Sequence, residues 1–275
     1  MHKDPADPAL PVMETPFELP QETGLQPVLP HLPWFSPLNW LVRGLQDLRS
    51  HPAIALFYGL CFMAMAQVVG FVFRHAPEYT LTLISGCLLL GPFMAMGLYE
   101  VSRRKERGEA CALSHSLTCW DSHLRSMAML ILVLMVLELL WGRASLVVFA
   151  VFFNTGMPST TGVVEAIFNP ENLEFVFAYI TVGSVFAACV YALSVVSIPM
   201  ILDRDTDAIS AALTSVSVVY ANPLVMLFWG ALICVLIAIA LWPGAWGLLL
   251  IGPWLGHASW HAYRESVVWP EVAAS

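Results

Sequence analysis

Six stretches of the chain stay apolar long enough to cross a bilayer, which takes roughly 20 mostly apolar residues in a helix. They run from Ala53 to Phe73, Tyr79 to Tyr99, Met127 to Phe153, Phe175 to Leu202, Leu224 to Trp242 and Ala245 to Tyr263. The third is interrupted by Glu138 and Arg143. The fourth is long and uncharged, which implies tilt or extension past the bilayer. Trp242-Pro243-Gly244 reads as a tight turn between the last two. Two further segments are amphipathic: Leu38, Leu41, Val42, Leu45 and Leu48 recur at helical spacing, as do Ile209, Ala212, Leu213, Val216 and Val219. The pattern predicts an all-α polytopic membrane bundle of six transmembrane helices, two amphipathic interfacial helices and two related hairpins.

Composition agrees. Hydrophobic residues make up 58% of the 275 and charged residues 12%, about half the charged share of a soluble domain. That excludes a disordered chain, a nucleic-acid binder and an ordinary soluble globule. The net charge of −8 carries information through its distribution. Lys and Arg are retained on the cytoplasmic side of a membrane. With six spans, Lys3, Arg43, Arg49, Arg103, Arg104, Lys105, Arg107, Arg125, Arg204 and Arg264 fall on one side. Arg74 falls on the other, and Arg143 lies within a span. The loop from Asn154 to Glu174 has three Glu and no basic residue. Both termini are therefore expected in the cytoplasm of a multi-pass inner (cytoplasmic) membrane protein.

Residues 1–35 hold eight prolines, from Pro5 to Pro33, and five acids. Such a segment buries too little apolar surface to order itself, and it lacks the basic start and apolar stretch of a signal peptide. The expected organisation is a proline-rich cytoplasmic tail over 1–35, a transmembrane domain over 36–268 and a short tail over 269–275. The proline-rich tail is either a plain flexible segment or a docking arm.

Two regions resemble each other. HPAIALFYGL at 51–60 matches NPLVMLFWGA at 222–231, and LLLGPFMAMGLYEVSR at 88–103 matches LLIGPWLGHASWHAYR at 249–264. Each unit reads as an interfacial helix, a corner at His-Pro or Asn-Pro, and a two-span hairpin. Both hairpins start on the same side, so the repeats are parallel, related by an axis along the membrane normal. Gly91-Pro92 and Gly252-Pro253 occupy matching places inside spans. Proline bends a helix, and Gly252 with Gly256 forms a small-residue pair that lets backbones approach. These positions serve helix packing or, alternatively, mark a substrate path.

Few groups carry candidate chemistry. Glu138 and Arg143 are costly inside a bilayer, and five residues apart they point about 140° away from each other; each is expected to pair across to another helix, or Arg143 to snorkel outward. His257 and His261 share a helical face, a spacing compatible with a metal or haem ligand. Trp254, Trp260 and Tyr263 at the same level also fit an aromatic belt with interfacial hydrogen bonds. Cys111, His115, Cys119 and His123 recur every fourth residue, but the row drifts around a helix, so no more than two or three could reach one ion. Asp203, Arg204 and Asp205, at the end of the fourth span, are expected to pair locally and anchor the second amphipathic helix, with Arg264 as a further interfacial anchor. Cys61, Cys87, Cys189 and Cys234 read as small packing residues. No H-E-x-x-H, G-x-S-x-G or phosphate-loop signature is present, so no catalytic residue is nominated.

GPFMAMGLYEVSRRKERGE at 91–109, the W-x-R of Trp141 and Arg143, IPMILDRDTDAISAALTSV at 198–216, ANPLVMLFWG at 221–230 and GHASWHAYR at 256–264 together resemble the bacterial integral membrane family called domain of unknown function 2189 (DUF2189). The resemblance spans roughly Trp40 to Val268. It implies no established activity; some members are described as cytochrome c oxidase subunits. The chain is unlike the catalytic oxidase subunit, whose histidines are spread over several spans. The expectation is a non-enzymatic accessory or assembly factor, beside a respiratory oxidase or another membrane-protein partner or as a homo-oligomer, with no cofactor. The alternatives are a small transporter or channel built from the hairpins, and a metal or haem binder at His257 and His261.

Overall fold

The computed structural model describes residues 27–76, 79–153, 172–242 and 244–269. Among them are ten α-helices: α1 (Ser36–Ser50), α2 (Pro52–His75), α3 (Thr80–Glu106), α4 (Leu113–Thr118), α5 (Leu124–Phe152), α6 (Leu173–Ser194), α7 (Ser197–Arg204), α8 (Ala208–Ala221), α9 (Pro223–Leu241) and α10 (Leu248–Ser266). Residues 1–26 and 270–275 and most of the acidic loop expected outside the membrane lie beyond the described residues.

Among the described residues, five helical stretches are long and apolar enough to cross a membrane, and they contain α2, α3, α5, α6 and α9. The sixth expected span, now α10, differs in character. His257, His261, Arg264 and Glu265 lower its apolarity, and α1, α2, α3, α7 and α9 gather around it. It packs chiefly on α1 and α2, then on α3 and α9, and Leu255, His257, Ala258, Trp260, His261, Ala262 and Tyr263 are all buried. Trp260 and Tyr263 therefore fill the core, where a belt at the lipid interface had been expected.

The fourth apolar run is also different. It breaks at Val195–Val196 into α6 and α7. Pro199 explains the break, because a proline ring collides with the carbonyl four residues earlier, here that of Val195. The short α7 that results is buried from Ser197 to Leu202 and packs on α3 and α8. It ends at Asp205, whose φ of 52° lies in the left-handed region that Asp tolerates as a helix stop. Asp207 then caps α8, its carboxylate accepting from the N–H groups of Ile209 and Ser210.

The two corners that the sequence aligns have nearly the same backbone. His51 closes α1 at φ −130°, ψ 61°, and Asn222 closes α8 at φ −133°, ψ 56°. Each is followed by proline as the first residue of the next helix, where its missing N–H costs nothing. Trp40 meets Trp229 edge to face with ring centroids 5.5 Å apart, tying α1 to α9.

Residues 27–35, assigned by sequence to the tail, run along the bundle. Val28 and Val268 exchange both backbone hydrogen bonds. Asn222 accepts from the Leu32 N–H and donates to the Pro30 carbonyl. A polar corner residue thus satisfies main-chain groups of a stretch that lies outside any helix.

Candidate functional site

The charges that are scarce elsewhere meet at one end of the bundle. α1 supplies Asp47, which is buried although α1 is a surface helix: the positions that face α10 are Trp40, Leu41, Gly44 and Asp47, a helical stripe. Gly44 lets this face come close. A Cβ placed there would stand 2.6 Å from the Ala258 backbone nitrogen. That contact brings Asp47 within reach of α10 and α3.

Asp47 accepts three hydrogen bonds: from Ser102 Oγ at 2.7 Å, from Lys105 Nζ at 2.8 Å and from His261 Nε2 at 2.8 Å. Burial alone would push its carboxyl up. The bonds from His261, Lys105 and Ser102 outweigh that and hold it well below the usual carboxylate range. Ser102 spends its hydroxyl hydrogen on Asp47, so its oxygen accepts from Nδ1–H of His257 at 2.9 Å. That requirement selects the Nδ1–H tautomer of His257.

The network continues across α10. His261 Nδ1 lies 3.5 Å from Glu106, and Glu106 takes Arg264 Nε at 3.1 Å. Arg264 also lies 3.6 Å from Asp203. Asp203 is the second hub: Tyr263 Oη donates to it at 2.9 Å, and Arg107 and Arg204 approach to 3.4 and 3.5 Å. On the outer side of α10, Glu265 accepts from Ser36 Oγ at 2.6 Å and Trp40 Nε1 at 2.9 Å. Buried Glu100 is paired with Arg103 at 2.6 Å and Arg104 at 2.7 Å, and Arg103 also donates to the Leu202 carbonyl at 2.6 Å. A continuous set of ion pairs and hydrogen bonds thus joins α1, α3, α7 and α10.

This arrangement locates the residues nominated from sequence. His257 and His261 are brought together, but toward Ser102, Asp47 and Glu106. Among the described residues no three His, Cys, Asp or Glu side chains form a group able to hold a metal ion. The four anchor candidates all lie at this end, with Asp205 reaching His123 at 3.7 Å and the Arg204 guanidinium standing 5.1 Å above the Trp269 ring. Cys111, His115, Cys119 and His123 do not converge. The helix stops at Thr118, and a turn of 3-10 helix follows over Asp121–His123. Cys119 instead donates to the Ser116 carbonyl.

Glu138 and Arg143 stand apart from the network. Among the described residues neither has a hydrogen bond or ion pair, and Arg143 is exposed. Trp141, between them in sequence, packs on Gly183 of α6 and against Tyr179 with centroids 5.1 Å apart. The two Gly-Pro pairs also separate in behaviour. A Cβ on Gly252 would stand 2.8 Å from the Phe62 ring, and one on Gly256 2.5 Å from Leu98, whereas one on Gly91 would meet open space. Pro92 and Pro253 are both buried inside unbroken helices.

Asp47, Ser102 and Glu100 were not singled out in the sequence. One signal was present: Asp47 lies on the same helical stripe as Trp40, Leu41 and Gly44, a charge on the face that must be buried.

Residues 80–203 match the DUF2189 family, described as a predicted integral membrane protein. The matched stretch takes in α3, with Glu100, Ser102 and Lys105, and runs to Asp203 at the end of α7. No curated protein and no solved structure matches the chain.

Proposed function

We propose that this integral membrane protein is a non-enzymatic accessory or assembly factor of the bacterial inner membrane, with both termini and the charged network on the cytoplasmic side. The observation that carries this reading is the commitment of the network to the protein's own helices. Asp47 and Asp203 between them hold α1, α3, α7 and α10, so the polar residues serve to fix a surface. Their concentration at one end agrees with retention of Lys and Arg in the cytoplasm. The matching His51-Pro52 and Asn222-Pro223 corners support parallel repeated hairpins as the frame. The space beside Gly252 is bounded mainly by apolar side chains, which favours this reading over a transport path through the Gly-Pro pairs.

The test is affinity capture of the full chain from native membranes after mild cross-linking, with mass spectrometry of what is retained. A stoichiometric membrane-protein partner is expected, and subunits of a respiratory oxidase are the first set to examine. Recovery of the chain with no stable partner contradicts the proposal. Reporter fusions at the C-terminus check the orientation: activity confined to the cytoplasm is expected, and external activity overturns it.

A further inference from the structure

At the end of the bundle away from the charged network, α2, α3, α9 and α10 surround a cavity of about 700 Å³, within the range of small-molecule sites. Phe62, Val69, Phe73, Ile84, Ile237 and Leu241 supply much of its wall. Thr80 also lines it. This residue is only 3% exposed, yet its Oγ1 has no hydrogen-bond partner among the described residues. Buried hydroxyls are ordinarily paired, and an orphan is costly. A second polar group lies at the same end of the bundle. Arg74, in the last turn of α2, is exposed and makes no ion pair among the described residues. Its Nη1 lies 3.7 Å from where a Cβ on Gly70 would stand, and Gly70 belongs to the cavity wall. The guanidinium therefore lies one turn along α2, beside a residue of the cavity wall. α3 also starts here without a side-chain cap, leaving first-turn N–H groups that suit a phosphate.

We propose that this cavity binds an anionic phospholipid of the surrounding bilayer, with an acyl chain against the apolar wall, an ester oxygen on the Thr80 hydroxyl and the phosphate on Arg74. The occupant follows from the setting. α2, α3 and α9 are helices able to cross a membrane, so the medium beside the cavity is hydrocarbon. A guanidinium with no ion pair among the described residues matches a phosphate in two-point geometry. A protein segment would need partners for its main-chain groups, and the wall offers one hydroxyl.

The full chain, purified in detergent and stripped of lipid, is titrated with palmitoyl-oleoyl phosphatidylglycerol or phosphatidylcholine and examined by native mass spectrometry. The wild type is expected to retain phosphatidylglycerol about tenfold more strongly than phosphatidylcholine, the equivalent of one charge-assisted contact. Arg74→Gln should abolish the preference while leaving a residual of both lipids. Gly70→Leu should reduce both by narrowing the cavity, and Ala66→Leu provides the same measurement should the first variant fail to fold, as judged by its melting in the same micelles. Equal retention of the two lipids by the wild type overturns the proposal. So does undiminished phosphatidylglycerol on a folded cavity-filling variant, or preferential retention of a neutral isoprenoid quinone. None of these outcomes depends on whether a protein partner is captured.

Discussion

The two ends of the bundle solve the problem of polar groups in opposite ways. At the network end, carboxylates on α1, α3 and α7 are each met by several donors, and close backbone contact at Gly44 brings those of Asp47 into range. At the other end, four helices leave an apolar space, and among the described residues the Thr80 hydroxyl has no hydrogen-bond partner and Arg74 no ion pair. A buried charge is tolerable only when its partners are in place, so the network end is rigid by necessity. The far end carries little that must be satisfied within the chain, and its remaining polar groups are available to the bilayer.

The largest expected effect comes from breaking the network hub. Asp47→Ala removes the acceptor of three hydrogen bonds and strands His261 and Lys105, and should cost about 3–5 kcal/mol. Reversible unfolding in mixed micelles measures it; a loss under about 1 kcal/mol would mean that water reaches the site freely.

Acid should reproduce part of that loss. The folded Asp47 carboxyl lies below its unfolded value, so its contribution is complete only well above the ordinary Asp pKa of about 3.9. It fades as pH falls below roughly 5 toward the lower folded value, because the unfolded state then binds the proton first. Melting temperatures from pH 7 down to the limit of solubility should fall in the wild type, and fall less steeply in Asp47→Asn.

Smaller effects separate the two kinds of glycine. Gly44→Ala forces a methyl against the Ala258 backbone and should cost about 1–3 kcal/mol. Gly91→Ala enters open space within a helix and should stabilise by about 0.5–1 kcal/mol. Equal effects would show that the close approach of α1 and α10 contributes nothing. The smallest change is expected at Arg43, whose guanidinium is exposed and 4.0 Å from Glu265. Arg43→Gln should stay within about 0.5 kcal/mol of the wild type.

The apolar spans were readable because a bilayer demands a long continuous run, and such runs begin at Pro52, Thr80 and Pro223 close to where expected. The break before α7 was missed although Pro199 was visible, since an uncharged run reads as continuous when length alone is counted. Trp254, Trp260 and Tyr263 were assigned to a lipid interface by residue type. Trp260 and Tyr263 are buried and Trp254 half-buried because α1 and α2 fold over α10, a relation between residues some two hundred positions apart. The same holds for the site. The spacing of His257 and His261 put both on one helical face, but their partners Asp47 and Ser102 lie 214 and 155 residues away. Each partner alone is an ordinary polar residue, and only the packing of three helices makes the group.

The central claim is that Asp47 and His261 act as a pair to join α1 to α10. A double-mutant cycle of Asp47→Asn and His261→Gln, read by reversible unfolding in micelles at neutral pH, tests it most directly. A coupling of at least about 1 kcal/mol is predicted; additivity within about 0.3–0.5 kcal/mol would contradict it.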